Sequence, residues 1–355
     1  KSSIWASSFL SPLKRSHHAI FMDFSKASDK VSHQKLLFKL DKIFRNNQLL
    51  KWILAYLSDR EQFVNFKNSS SCRLTVSSGV PQGSVLGPIL FLVYISDIVD
   101  NYSEISSMSD QFLLNDALQK VITWCDQWQM AVNFDKTVVM RITQKKNPNY
   151  SVNAITLREV TQYKYLGLWI TNNLNWNKHI DFVIAAANRK LFFLRRALKL
   201  FTPNVRLLAY KSVVRPALEY CVVIWDPYTK TNISRLENVQ KKAARYIFNK
   251  FGRTSVTELL RRGDLPSLAH RNLLSRLKCF YQIIKGHYKI DFSDVISFSA
   301  GYATRQRHQL TVTPHRTRTN CYKYSFFPRT ISDWNKLQNS QVLQPSLSLF
   351  ESHLN

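Results

Sequence analysis

The sequence is poor in acidic side chains and has no long apolar run. Its 355 residues include 23 Asp and Glu against 50 Lys and Arg, a formal charge of +27. Because such a chain repels itself unless a polyanion or salt compensates, the charge favours nucleic acid as partner; a basic ribosome-associated or membrane-surface protein is the alternative. No apolar stretch reaches membrane-spanning length, so we expect no membrane partner.

Cysteine is also scarce and dispersed. The five cysteines lie far apart, with no CxxC pair and no Cys/His cluster at zinc spacing. With no signal-peptide layout at the start, this predicts an intracellular protein, nuclear or in a cytoplasmic ribonucleoprotein and not secreted. The chain also begins without Met, which indicates a fragment that starts inside a domain.

Hydrophobic periodicity predicts a mixed first half and a helical second half. In the first half, strands are expected over 17–24, 63–66, 73–77, 138–143 and 160–170, and helices over 32–44, 49–57, 85–99 and 112–130. In the second half, helices are expected over 180–200, 205–220, 233–248, 255–262 and 267–284. Beyond about Gly286 the pattern weakens, and the basic runs 305–308 and 315–318 indicate a loop-like tail.

Several motifs occur in a fixed order along the chain. They are Phe21-Met22-Asp23-Phe24-Ser25-Lys26-Ala27, Gly79-Val80-Pro81-Gln82-Gly83-Ser84 with Leu86-Gly87-Pro88, Phe91 to Asp97, Asn133-Phe134-Asp135-Lys136-Thr137, Tyr165-Leu166-Gly167, and Val214 to Tyr220 with Trp225-Asp226-Pro227. Together they resemble the reverse transcriptases of non-LTR (LINE-like) retrotransposons.

The resemblance implies a fold of the α+β class. It would be an incomplete right-hand polymerase palm, an antiparallel sheet with helices, followed by a mostly helical thumb and C-terminal region. The implied domains are a partial fingers and palm over 1–172, a basic helical thumb-like region over 173–285, and a basic C-terminal tail region over 286–355. The implied partners are an RNA template, a DNA primer and a deoxynucleotide, with Mg²⁺ as the cofactor.

Nucleotide addition needs two divalent cations roughly 4 Å apart, held by carboxylates on a rigid strand. The resemblance makes Asp23, at the end of a buried strand, a metal ligand and catalytic residue. It makes Lys136 a proton donor to the departing pyrophosphate, or its electrostatic partner. Taken alone, Asp23 would be a turn or helix-cap residue and Lys136 a solvated lysine.

Other residues are carried over in the same way. Those assigned to nucleotide and template binding are Phe24, Ser28, Gly79, Pro81, Gln82 and Gly83; the primer-grip residues are Tyr165, Leu166 and Gly167. The basic segment 189–253 contains fifteen Lys and Arg but three Asp and Glu. Its candidates for gripping the nucleic-acid backbone are Arg195, Arg196, Lys241, Lys242 and Arg245. For any one of these charges, a solvated helix face is the simpler explanation.

The sequence departs from the family at the metal site. The family carries Ala-Asp-Asp on a strand turn after the helix that contains Tyr94, yet no Asp follows another Asp in this chain. The pattern favours an internal deletion of one hairpin, on the order of 15 residues. Asp97 belongs to the preceding helix, and Asp100, Glu104 and Asp110 lie in a polar connection that would not hold a metal rigidly.

These departures predict a catalytically inactive domain. Position 28, where the family carries an aromatic residue that screens the sugar 2′-position, holds Ser28, so even an active enzyme would select deoxynucleotides poorly. The loss of a central hairpin leaves two outcomes for the palm: the strands near Ile20 and Val138 close on each other, or the palm stays partly disordered. A non-catalytic nucleic-acid-binding remnant is the alternative function, and a decayed copy or gene-model product without a cellular role is a third.

Overall fold

The computed structural model describes residues 18–44, 47–98, 111–142, 150–152, 155–252, 254–288, 290–299 and 308–354. The polar connection with Asp100, Glu104 and Asp110 lies outside these residues, as does the basic run 305–307. The fold mixes helices with small sheets, so the α+β class is confirmed. Two compact units divide the chain between Thr161 and Gln162.

Among the described residues, the first unit contains three α-helices and five strands before its longest helix, and four short strands after it. Its helices are α1 (His33–Phe44), α2 (Asn47–Leu57), α3 (Leu86–Tyr94) and α4 (Gln111–Gln127). Its strands are β1 (His18–Phe21), β2 (Glu61–Gln62), β3 (Asn65–Phe66), β4 (Ser69–Ser70), β5 (Leu74–Thr75), β6 (Val138–Arg141), β7 (Ser151–Val152), β8 (Ile155–Thr156) and β9 (Arg158–Glu159).

A three-stranded sheet in the order β1-β6-β9 organises this unit. β1 pairs antiparallel with β6, with Ile20 opposite Val139, and β9 pairs parallel with β6. β6 is buried along Val138, Val139 and Met140, as its uninterrupted apolar sequence predicts for a central strand. Of the two outcomes expected for this sheet, the direct pairing of the strands near Ile20 and Val138 is therefore confirmed.

Helix α4 connects the sheet to the other helices because it is apolar on more than one side. Its Leu118 and Ile122 pack with Val139 of the sheet. Its Val121 and Trp124 belong to a separate buried cluster with α1, α2 and α3. The four short strands between α2 and α3 form nested hairpins, with β2 against β5 and β3 against β4.

The second unit begins with a hairpin and continues as helices. The hairpin strands are β10 (Gln162–Tyr165) and β11 (Leu168–Thr171); the helices are α5 (Asn177–Ala197), α6 (Pro203–Ala209), α7 (Arg215–Glu219), α8 (Val222–Trp225), α9 (Lys230–Ile247), α10 (Val256–Arg262), α11 (Leu268–Ile284), α12 (Asn320–Lys323), α13 (Phe326–Trp334), α14 (Asn339–Val342) and α15 (Leu347–Ser352). No helix among the described residues is long and apolar enough to cross a bilayer.

Two predicted elements of this unit are wrong in detail. The single strand expected over 160–170 is the β10–β11 hairpin, reversed at Leu166 and Gly167, which both have positive φ. The helix expected over 205–220 is interrupted by a π-helical turn at Tyr210–Val214, just before Pro216. Proline cannot donate the hydrogen bond of a regular helix, and the helix widens immediately before it.

The C-terminal segment folds against α11 and is not a loop over its whole length. Helices α12 to α15 surround a buried cluster that includes Phe280, Trp334 and Phe350. These helices have four to nine residues, too few turns for a clear 3.6-residue pattern. The expectation of a loop-like tail is therefore wrong for residues 320–352, whereas residues 315–318 have no regular structure.

Candidate functional site

Asp23 and Lys136 lie side by side at the end of the central sheet. The Lys136 Nζ is 3.6 Å from the Asp23 Oδ2. The backbone around them holds this arrangement: Asn133 N–H donates to the Asp23 carbonyl at 2.7 Å, and the Asp23 N–H donates to Thr137 Oγ1 at 3.4 Å. Thr137 is itself buried and donates to the Asn133 carbonyl at 2.8 Å. Two motifs more than a hundred residues apart thus form one corner.

This corner does not fit a pair of magnesium ions. The Asp23 carboxylate is 43% exposed and its charge is countered by the Lys136 ammonium group. No group of three or more Asp, Glu, His or Cys side chains that could hold a metal occurs among the described residues. Asp97 is committed elsewhere, because its Oδ1 accepts from Lys39 at 2.5 Å and from the Trp124 indole at 3.1 Å.

The glycine-rich loop docks on the segment that follows Asp23. The Gly79 N–H donates to the Val31 carbonyl, and the Val80 N–H to the Ser28 carbonyl, both at 2.8 Å. Gly79 has φ +94°, and a Cβ there would lie 2.9 Å from the Asp29 Cα and the Ser28 carbonyl oxygen. Glycine is required at this position both for its backbone conformation and for the close approach.

The remaining loop residues are more exposed. Gln82 and Gly83 face solvent, Pro81 is half-buried, and the Gln82 amide donates to the Asp29 carboxylate at 2.9 Å. Ser28 is half-buried, and Phe24 packs into the helical core with its ring 6.3 Å from that of Trp124. Asp23, Lys136, Phe24, Ser28 and the 79–83 loop are therefore brought together in the first unit.

Of the predicted primer-grip residues, in the second unit, Tyr165 ends β10, and Leu166 and Gly167 form the turn to β11. Leu166 is 66% exposed at its tip. The Tyr220 hydroxyl donates to the Leu166 carbonyl at 3.1 Å, and a Cβ at Gly167 would lie 3.3 Å from the Tyr220 ring. Tyr220 thus supports the turn from a distant position, a contact that no spacing in the sequence indicated.

The predicted phosphate-binding residues divide into two groups. Arg195 and Arg196 on α5, and Lys241 and Lys242 on α9, are exposed. Arg245 is half-buried and donates to the carbonyls of Lys250 at 3.3 Å and Gly252 at 3.0 Å, so its guanidinium orders the loop after α9.

Two buried charged clusters were not anticipated. Lys39 lies 3.6 Å above the Trp128 ring and also pairs with Asp97; burial lowers its pKa. In the second unit, the buried Asp226 pairs with Arg276 at 2.9 Å and with Arg329 at 3.0 Å. Trp225-Asp226-Pro227 is one of the sequence motifs, and the partners of its Asp226 come from helices far along the chain.

Comparisons with known proteins agree with the motifs. Residues 1–170 match the family described as Reverse transcriptase (RNA-dependent DNA polymerase). The chain is 29% identical over 262 residues to a probable RNA-directed DNA polymerase from transposon BS of Drosophila melanogaster, covering 65% of this chain and 29% of the relative. It is 26% identical over 258 residues to the RNA-directed DNA polymerase from mobile element jockey of the same organism, covering 64% and 28%.

A third relative has the same pattern. It is the probable RNA-directed DNA polymerase from transposon X-element of Drosophila melanogaster, 26% identical over 257 residues, with 65% of this chain and 28% of the relative covered. The matches therefore span less than a third of the length of each of these relatives. The motifs, the family match and the relatives together identify residues 1–170 as a reverse transcriptase domain, similar to those of the non-LTR, LINE-like retrotransposons.

Proposed function

We propose that the chain is a retrotransposon-derived reverse transcriptase domain that no longer polymerises DNA. The observation that carries the proposal is the Asp23–Lys136 corner: the one assigned carboxylate is half-exposed and faces an ammonium group at 3.6 Å. In this proposal, residues 1–172 descend from the fingers and palm, 173–285 from the thumb, and 286–355 from the region that follows it.

The physical reason is electrostatic. Phosphoryl transfer requires two cations that activate the primer hydroxyl and neutralise the leaving pyrophosphate. Magnesium needs several oxygen ligands in near-octahedral geometry, and one carboxylate cannot place two such ions. A lysine beside that carboxylate further disfavours a divalent cation. The described residues thus do not fit the cofactor that the family implies.

Primer extension tests the proposal. The full chain is incubated with Mg²⁺, deoxynucleotides and a DNA primer annealed to an RNA template, beside an Asp23→Asn variant as the matched control. We expect both proteins to give the same background. Incorporation by the unaltered chain that Asp23→Asn abolishes would refute the proposal, because it would show that Asp23 works with other ligands.

The coding DNA provides a second test. The segment that encodes residues 100–110 is compared with full-length copies of the element in the same genome. We expect the Asp-Asp hairpin to be missing from the genomic DNA at this position. If the hairpin is encoded there, the chain has lost it only in the assembled sequence and the polymerase activity returns as the best interpretation.

The second candidate function is binding of nucleic acid without chemistry. It is favoured by the exposed Arg195, Arg196, Lys241 and Lys242, which can contact phosphates of an RNA template or a DNA primer. Such binding weakens with salt, and for single strands the slope of log K against log[salt] is about −0.7 per phosphate contacted. Binding that is absent at low salt, or independent of salt, would exclude this function.

A further inference from the structure

We infer that the adjoining C-terminal ends of α5 and α9 form a platform for the unpaired bases of single-stranded nucleic acid. This platform, called the aromatic-basic end, consists of Phe192, Arg195, Arg196, Arg245 and Phe251. The inference rests on the proposed nucleic-acid binding and specifies its substrate: a single strand, with bases that stack on the two phenylalanine rings.

The two helices run in the same direction, so their C-terminal ends lie together. Near their starts, the Asn232 amide donates to Asn177 Oδ1 at 2.8 Å. Near their ends, the Tyr246 hydroxyl donates to the Leu194 carbonyl at 2.9 Å. Residues near the C-terminal end of α5 are therefore neighbours of residues near the C-terminal end of α9, although the two sets are about fifty positions apart in the sequence.

At this end, two exposed aromatic rings each lie beside an arginine. Phe192 is 60% exposed and Phe251 is 55% exposed. The Arg196 guanidinium carbon is 5.6 Å from the centre of the Phe192 ring, and that of Arg195 is 5.3 Å from the centre of the Phe251 ring. Arg245 holds the loop that presents Phe251 through its hydrogen bond to the Gly252 carbonyl.

The positive charge of the aromatic-basic end is not neutralised by acidic side chains of the basic segment 189–253. Its three acids are engaged away from this end: Glu219 pairs with Arg271, and Asp226 is buried against Arg276. Glu237 accepts a hydrogen bond from the Ala269 N–H at 3.1 Å. Within the part of the chain that the structure describes, Arg195 and Arg196 form no ion pair.

Arginines at helix C-terminal ends have a simpler explanation, because they complement the helix dipole. That explanation accounts for the charges and not for two exposed rings next to them. Arginine and aromatic side chains side by side are what single-strand binding surfaces use, because every base has a face that can stack and every nucleotide brings a phosphate. A duplex offers its phosphates, but its bases are already stacked on each other.

The test is fluorescence anisotropy with the full chain and three probes: a labelled single strand of about 16 nucleotides, the same strand in a duplex, and an abasic strand of equal length. The variants are Phe192→Ala with Phe251→Ala, and Arg195→Gln with Arg196→Gln. Phe38→Ala is the matched control, since Phe38 is 56% exposed and near a lysine but lies beside Asp41 in the first unit. Circular dichroism checks that each variant is folded.

We expect the double phenylalanine variant to bind the single strand about five- to a hundredfold more weakly for each base that stacks. Its affinity for the duplex and for the abasic strand should be unchanged, as should all affinities of Phe38→Ala. The arginine variant should bind all three probes more weakly and with a shallower salt slope, by about 0.7 for each lost contact with a single strand.

Two results would overturn the inference. One is unchanged single-strand affinity in the phenylalanine variant while the unaltered chain binds well; the other is an equal loss for the single strand and the abasic strand. Either result leaves nucleic-acid binding itself in place. Failure of the unaltered chain to bind any probe at low salt would overturn both the inference and the proposed binding function.

Discussion

Replacement of the buried Asp226 is expected to destabilise the second unit strongly. Its side chain is 6% exposed and contacts Arg276, which is 3% exposed, and Arg329, which is 21% exposed. Asn272 also donates to its carboxylate at 2.8 Å. Asp226→Ala removes the shared acceptor and leaves a buried guanidinium short of a partner.

The magnitude follows from that burial. Breaking a buried ion pair by removing one partner costs about 3–5 kcal/mol. Arg276 keeps Asp333 at 3.0 Å, so the lower end of the range, about 3 kcal/mol, is expected. For a unit of this size each kcal/mol lowers Tm by about 2–4 °C, which gives a fall of about 6–12 °C.

Thermal unfolding followed by far-ultraviolet circular dichroism measures this change, because the second unit contains most of the helix. The matched control is Asp181→Ala, which removes a partner of Arg235 in an ion pair whose side chains are 41% and 59% exposed. Exposed pairs contribute about 1 kcal/mol or less. If Asp226→Ala and Asp181→Ala lower Tm equally, the assignment of Asp226 as the link between α11 and α13 is wrong.

Two other predictions concern stability. Burial among aromatic rings lowers the pKa of His179 to about 4 from 6.5, so the unfolded chain takes up a proton at acid pH that the folded one does not. The stability linked to His179 is therefore complete above about pH 6.5 and falls by about 1.4 kcal/mol per pH unit between pH 6.5 and pH 4. Urea unfolding over a pH series should show that the unaltered chain loses stability more steeply in this range than His179→Phe. Parallel pH profiles of the two proteins would contradict the prediction. Gly79→Ala combines a positive φ with a Cβ contact of 2.9 Å, whereas Gly83→Ala has φ +79° and open space around the Cβ. We expect urea unfolding to show that the free energy of unfolding falls by about 3 kcal/mol in Gly79→Ala and by about 1 kcal/mol in Gly83→Ala. Equal losses would show that the docked loop tolerates a side chain.

The sequence was sufficient where a pattern is local or a motif is complete. The helices predicted over 32–44, 49–57, 180–200 and 267–284 begin and end within a few residues of the observed bounds, because each shows several turns of apolar periodicity. The motif around Asp23 and the motif around Lys136 were assigned to one site from resemblance, and they do lie together. The functional roles of these residues stay predictions.

The sequence was insufficient where a structure depends on residues far apart in the chain, or where a turn or helix is too short to show a periodic pattern. Asp226 and Arg276 are fifty positions apart, and nothing in the local sequence marks them as partners. The strand predicted over 160–170 contains a reversal at Leu166 and Gly167 with apolar and aromatic residues on both sides, so its two strands read as one. The helices after Gly286 are too short for periodicity to separate them from loops.

The ladder between β1 and β6 has a consequence for how this protein can change over time. Its four residue pairs complete the sheet from the two flanking motifs themselves, with Phe21 opposite Val138 next to Asp23. The residues that catalysis needs therefore differ from the strand pairs that hold this sheet together. A mutation can remove catalysis while the sheet still folds. If catalysis is lost as proposed, this half of the molecule can therefore remain folded without it.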